Sequence, residues 1–130
     1  MVFKVKGLSW LGIRTKQFNE LASFFENILG QVPSTNRDNF KAYTLENDDV
    51  IELFSNEFKG REHFETGPVI GFLVDDIFEA KKAMEVKGIE FIGEIEGDPR
   101  RSLWAHFRGP DGNVYELKWK YDSVPSGQMK

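Results

Sequence analysis

The feature that most constrains this chain is an internal repeat. Residues 10–30, WLGIRTKQFNELASFFENILG, and residues 69–88, VIGFLVDDIFEAKKAMEVKG, follow one plan. Each opens with a short alternating stretch holding a glycine, Gly12 or Gly71. Each then enters a helix-period stretch with a glutamate at the same offset, Glu20 or Glu79, and closes near Gly30 or Gly88. A chain that repeats one order of elements folds as two copies of one supersecondary unit sharing a core.

The elements themselves are legible. Phe18, Leu21, Ala22, Phe25, Ile28 and Leu29 recur at helical spacing and make one apolar stripe, which Gly30 ends. In the second copy Asp76 stands where a helix cap is expected, with Glu79 three residues on, and Ile77, Ala80, Ala83 and Met84 form a narrower buried face. After each helix the pattern reverts to strands. Residues 39–55, NFKAYTLENDDVIELFS, read as strand, polar turn, strand, and residues 101–119, RSLWAHFRGPDGNVYELKW, repeat that order around a GPDGN turn. The second strand of each pair carries one local motif, V-I-E-L at 50–53 and V-Y-E-L at 114–117. Residues 89–95, IEFIGEI, add another strand. Their counterpart QVPS after Gly30 is broken by Pro33 and is expected to be a poor edge strand. Each half therefore reads strand, helix, strand, strand, strand. Residues 56–68 are a polar link and residues 121–130 a polar tail without periodicity.

Composition narrows the class. At 130 residues the chain suits a single domain with a real core. Twelve Phe and three Trp require an aromatic core or cavity, and the absence of Cys excludes a disulfide scaffold, a thiolate metal site and a cysteine nucleophile. A net charge of −4 is the wrong sign for a general polyanion binder, so nucleic acid is not an expected partner. No apolar run approaches the roughly 18–20 residues of a membrane span, and MVFKVKGLSW lacks a signal-peptide layout. The expectation is a soluble, cytoplasmic protein with no membrane partner.

WLGIRT with its helix, IELF at 51–54, VIGFLVDD at 69–76 and HFRGPDGNVYEL at 106–117 together resemble the glyoxalase/bleomycin-resistance/extradiol-dioxygenase superfamily, the vicinal-oxygen-chelate fold. The last segment is the most specific, and the resemblance covers about residues 8–120. It implies an α+β fold of two tandem βαβββ modules, 8–56 and 67–120, whose mixed sheet curls into a cup with helices outside and a ligand site within. It also implies a homodimer. It names no reaction, because the fold serves lyases, dioxygenases, epimerases, thiol transferases and drug binders.

Metal-dependent members of that superfamily place one ligand on the first and one on the last strand of each module. Carried onto this chain, the last-strand positions are Glu52 and Glu116, and the first-strand positions are Trp10 and Val69. Neither an indole nor an isopropyl group coordinates a metal, so half of the set is missing, symmetrically. His106 and Glu116 stand at equal distances from Asp111 and face each other if their hairpin has no bulge, so a Glu52–Glu116–His106 triad completed by water is the route left for a divalent ion. Without a cation, two close glutamates cannot both ionise cheaply, and one becomes a candidate general acid or base.

Period-two alternation then predicts which residues face the cup. Gly12 and Arg14 go with Trp10, Val50 and Phe54 with Glu52, Gly71 and Leu73 with Val69, and Ser102, Trp104, Val114 and Lys118 with His106 and Glu116. Trp10, Phe54, Val69 and Trp104 are expected as walls, and Arg14 and Ser102 as polar handles in a small-molecule site. Arg14 is expected to pair with one of the acids, and His63, in REHFETG, to lie exposed. The preferred reading is a small-molecule binder without a catalytic metal or other cofactor, with Glu116, Glu52 and His106 as its acid–base groups. The alternatives are a divalent-metal lyase or isomerase using the same three residues, and a non-catalytic interaction module.

Overall fold

A computed structural model describes residues 3–121 of the chain, so all but Tyr121 of the expected polar tail lies outside the described residues. The chain forms β1 (Val5–Thr15), α1 (Phe18–Ser23), β2 (Thr35–Arg37), β3 (Phe40–Thr44), β4 (Val50–Ser55), β5 (Val69–Val74), α2 (Ile77–Val86), β6 (Phe91–Asp98), β7 (Ser102–Arg108) and β8 (Val114–Lys120). The order βαβββ occurs twice. All eight strands join one mixed, curled and unclosed sheet in the order β2-β3-β4-β1-β5-β8-β7-β6. β1 runs parallel to β4 and β5 parallel to β8, while β1 and β5 meet antiparallel at the centre. Among the described residues no helix is long and apolar enough to cross a membrane.

Both helices cover the outer face, and strand alternation explains how. Leu53 and Tyr43 pack with Phe18, Ala22 and Phe25 beneath the first helical segment. Leu103, Ala105, Phe107 and Leu117 pack with Ile77 and Ala80 beneath α2. The intervening positions on the same strands point to the concave side. There Trp10, Phe54, Phe64, Val69 and Val114 form a third buried cluster. α2 starts as expected: Asp76 Oδ1 accepts the backbone N–H of Glu79 at 3.0 Å. The GPDGN turn closes tightly, with Gly109 N–H donating to Asn113 O at 2.9 Å, and the β7–β8 register runs unbroken from Ser102↔Lys120 to Arg108↔Val114.

Three local expectations are corrected. The apolar stripe of the first helix does not continue straight, because Phe24–Ile28 is a π-helical turn in which Leu29 N–H donates to Phe24 O. The wider turn swings Ile28 and Leu29 off the sheet, and both are exposed. The edge strand after Gly30 is Thr35–Arg37, beyond QVPS, since Pro33 has no N–H to give a ladder. The link 56–68 is not merely polar: it holds a 3₁₀ turn, Glu62–Thr66, whose Phe64 is 1% exposed and plugs the concave cluster.

The central seam depends on two glycines. Gly12 lies opposite Glu52 on one side and Val69 on the other, and Gly71 lies opposite Trp10 and Glu116. A Cβ on Gly12 would overlap the six-membered ring of Trp10, and one on Gly71 would sit 2.9 Å from Trp10 Cβ and 3.0 Å from Glu116 Oε2. The absent side chains are the space the indole and the carboxyl occupy. Gly12→Ala is therefore expected to lower stability by about 1–3 kcal/mol through overpacking, read by urea unfolding. An unchanged midpoint would show that the indole does not rest on Gly12.

Candidate active site

The concave face encloses a cavity of about 430 Å³. Trp10, Phe40, Phe54, Phe58 and Trp104 supply aromatic wall, and Glu52 and Glu116 reach it from the last strands of the two modules. The rim carries Arg37, Lys59, Arg61 and Lys118, with the Lys118 ammonium 5.0 Å from the Trp104 ring centre.

Glu116 is 3% exposed and heads a hydrogen-bonded chain. Its Oε1 lies 3.0 Å from His106 Nε2, and His106 Nδ1 lies 3.3 Å from His63 Nε2. Its second oxygen, Oε2, is buried without a hydrogen-bond partner. The Glu116–His106 contact has salt-bridge geometry, but burial opposes charge on both partners. Burial is the leading cause that pushes the Glu116 carboxyl up to about 8, while the charges of Lys118 and Arg61 pull the other way. Burial likewise leads in pushing His106 down to about 4, with the Arg61 charge adding to it. Both shifts favour the neutral pair, with the proton on the carboxyl. That assigns the hydrogen bonds: Glu116 donates through Oε1 to Nε2, and His106 donates from Nδ1–H to His63. Oε2 remains as an acceptor with nothing to accept.

Glu52 is also raised, first by burial and then by the Glu116 charge, against a hydrogen bond from the Trp10 indole that favours its ionised form. His63 is lowered by its partial burial and by His106 and Arg61. The two glutamates thus differ in kind: one is bonded to an indole, the other to an imidazole chain.

The residues singled out in the sequence separate into groups. Trp10, Glu52, Phe54, Trp104 and Glu116 line the cavity. His106 stands directly behind Glu116 at 2% exposure, and Val69 is fully buried in the Trp10 cluster. Arg14 and Ser102 are not among the lining residues. Ser102 pairs with Asp98 and Lys120 at the far end of β7. Arg14 joins no acid: its guanidinium donates to the carbonyls of Gly60 at 2.8 Å and of Asn56 and Phe58 at 3.0 Å each, pinning the link over the cup. A loop whose carbonyls turn toward it satisfies a half-buried guanidinium as well as a carboxylate does. His63, expected in solvent, is half-buried and bonded to His106. Phe58, Lys59 and Arg61 were not anticipated at the cavity, because irregular segments carry no periodicity from which facing can be read; Arg37 on β2 and Phe40 on β3 were not either, since no facing was assigned to those strands. The one available signal was the apolar content of the 56–68 link, Phe58 and Phe64.

The donor set does not fit a divalent ion. Both nitrogens of His106 are engaged, the indole of Trp10 occupies the first-strand position, and among the described residues no three His, Cys, Asp or Glu side chains converge as ligands would.

The comparisons agree with this architecture. The chain superposes on the Mn(II)-bound glyoxalase from Novosphingobium aromaticivorans with TM-score 0.71 at 15% identity, covering 98% of this chain and 44% of that one. A hypothetical protein of Bacillus halodurans C-125 gives TM-score 0.68 at 20% identity over 97% of this chain and 100% of that one. The methylmalonyl-CoA epimerase from Mycobacterium tuberculosis gives 0.66 at 15% identity over 97% and 93%. At such identities the likeness is one of fold. No curated protein matches the sequence. The family model for the Glyoxalase/Bleomycin resistance protein/Dioxygenase superfamily matches residues 7–117. With its repeated βαβββ units and cupped sheet, the chain belongs to that superfamily.

Proposed function

We propose that the protein binds a small organic molecule inside the curled sheet and does so without a catalytic metal, with Glu116 as the proton-exchanging group. One observation carries the reading: a carboxyl on the cavity wall keeps one oxygen hydrogen-bonded to His106 and the other buried and unpartnered. A buried acceptor left open costs free energy unless something fills it, and a ligand O–H or N–H does so. The protonated carboxyl is also matched to acid–base work near neutrality, since a group pushed up to about 8 holds and releases its proton in that range. His106 orients it and takes the proton's hydrogen bond. The alternative, a divalent-metal lyase or isomerase on Glu52, Glu116 and His106, draws support from the Mn(II)-bound glyoxalase of like fold, but here His106 has no free nitrogen to offer.

Two measurements test the reading. Elemental analysis of dialysed protein is expected to find divalent metal far below one per chain, and Mn²⁺ or EDTA to leave the melting temperature unchanged. A Mn²⁺-dependent rise that vanishes in both Glu52→Gln and Glu116→Gln would instead establish the metal reading.

The second concerns the proton. The folded pKa of Glu116 lies above its ordinary 4.5, so the native state holds a proton the unfolded chain has lost. Stability from this group is complete below about 4.5 and is lost as pH rises through about 8. The groups acting on it are His106 on β7, Lys118 on β8, Glu52 on β4, Glu96 on β6, and Arg61 and His63 on the link. His106 acts in the opposite sense at lower pH and is common to both proteins. Glu116→Gln is therefore expected to gain in melting temperature over the wild type progressively across that interval. Parallel pH profiles would show that Glu116 is ionised in the native state.

A further inference from the structure

The hollow carries a charge opposite to that of the molecule. The chain is net −4, yet the cavity rim presents Arg37, Lys59, Arg61 and Lys118. These come from three separate places, β2, the link after β4, and β8, so no local run of basic sequence produced them. The lining acids are Glu52 and Glu116, and burial favours the uncharged form of both. Arg61 has a partner in Glu96, but at 3.7 Å and with both side chains part-exposed it is a weak one. No ion pair engages Arg37, Lys59 or Lys118 among the described residues. Like charges gathered at one mouth repel each other and are relieved by an anion, and a cleft with low-dielectric walls focuses their field inward. Below the rim the walls are flat and apolar, with two indoles and three phenyl rings.

We infer that the cavity takes an organic anion: a planar, aromatic or otherwise apolar body seated between the rings, with a carboxylate or phosphate held at the rim by Arg37, Lys59 and Arg61. Guanidinium groups match both anions through paired N–H donors, and Lys59 adds a point charge. The depth of the site then decides orientation. The charged head stays with the cations, and the end carrying an O–H or N–H points down to Glu116 Oε2. This rests on the binding-cavity reading above and specifies its ligand class.

The test uses the full chain and three probes of one shape: 2-naphthoate, 2-naphthyl phosphate and neutral 2-naphthamide. Binding is followed by NMR on the indole N–H signals of Trp10 and Trp104, with Trp119, which packs in the outer cluster, as internal control. At low salt at least one of the anions is expected to bind about tenfold more tightly than the amide, the worth of one hydrogen bond to a charged group. The advantage shrinks as salt rises. The Arg37→Gln/Lys59→Gln double variant is expected to bring that anion down to the amide's affinity while the amide is unaffected. Both sites are exposed, so the variant's remaining spectrum reports an intact fold. The stronger of the two anions identifies the head group. Should the amide bind as well as both anions, or the double variant leave them equally tight, the anion inference falls while the binding cavity stands. Should none of the three shift the Trp10 and Trp104 signals, or should Trp119 respond equally, both fall.

Discussion

The antiparallel contact of β1 with β5 is the constraint on which the rest of the structure hangs. It joins the two modules into one sheet and sets the register of everything beside it. Because Gly12 faces Glu52 across β4, and Gly71 faces Glu116 across β8, each glutamate is brought next to a residue with no side chain. That leaves room at the middle of the sheet, and the repeat supplies the room twice. Trp10 takes it. Its ring lies over Gly12, its Cβ beside Gly71, and its indole bonds to Glu52. Val69, at the matching position of the second module, is too small to do the same, so Glu116 turns to His106 instead. A near-symmetric backbone thereby acquires two unlike carboxyl environments.

Electrostatics follows from that asymmetry. An ion pair buried as deeply as Glu116 and His106 costs several kcal/mol per charge to desolvate, which a single 3.0 Å contact does not recover. The neutral pair avoids the cost and keeps the hydrogen bond. It also makes the proton's position sensitive to what enters the hollow. An anion at the rim favours retention of the proton on Glu116, and a cation there would favour its loss. The basic rim and the protonated carboxyl therefore pull against one another: Lys118 and Arg61 favour loss of the Glu116 proton, and burial outweighs them.

How much of this could be read from the sequence depended on whether the cause was local. The repeat, the Asp76 cap and the GPDGN hairpin are set by neighbours within a few residues, and they stand in the fold. The resemblance to the superfamily set Trp10, Glu52 and Glu116 inward, and alternation from those positions put Phe54 and Trp104 on the same face of the sheet. The failures share a different cause. Arg14 was expected beside an acid because side-chain charge is visible in a sequence, whereas the carbonyls of Asn56, Phe58 and Gly60 are not. His63 and Phe64 lie in a segment without period, where burial is decided by what the loop lands on. The π-helical turn at Phe24–Ile28 broke a stripe that helical spacing predicted as continuous.

The link between the modules shows why such segments matter for function. Arg14 projects from β1 and takes three of its carbonyls, at about 1.5–3 kcal/mol each for hydrogen bonds to a charged donor before solvent exposure is discounted. That clamp seats Phe58 and Phe64 on the aromatic cluster and leaves Lys59 and Arg61 at the mouth. The same segment brings His63 to His106 and so completes the chain to Glu116. The sheet supplies a hollow and two glutamates, which the fold provides by symmetry. The link, which has no counterpart in the repeat, supplies the plug, half of the positive rim and the end of the imidazole chain. What distinguishes the two ends of this hollow thus comes mainly from where the two-fold plan stops, and Arg14, although it lies off the cavity, holds that segment in place.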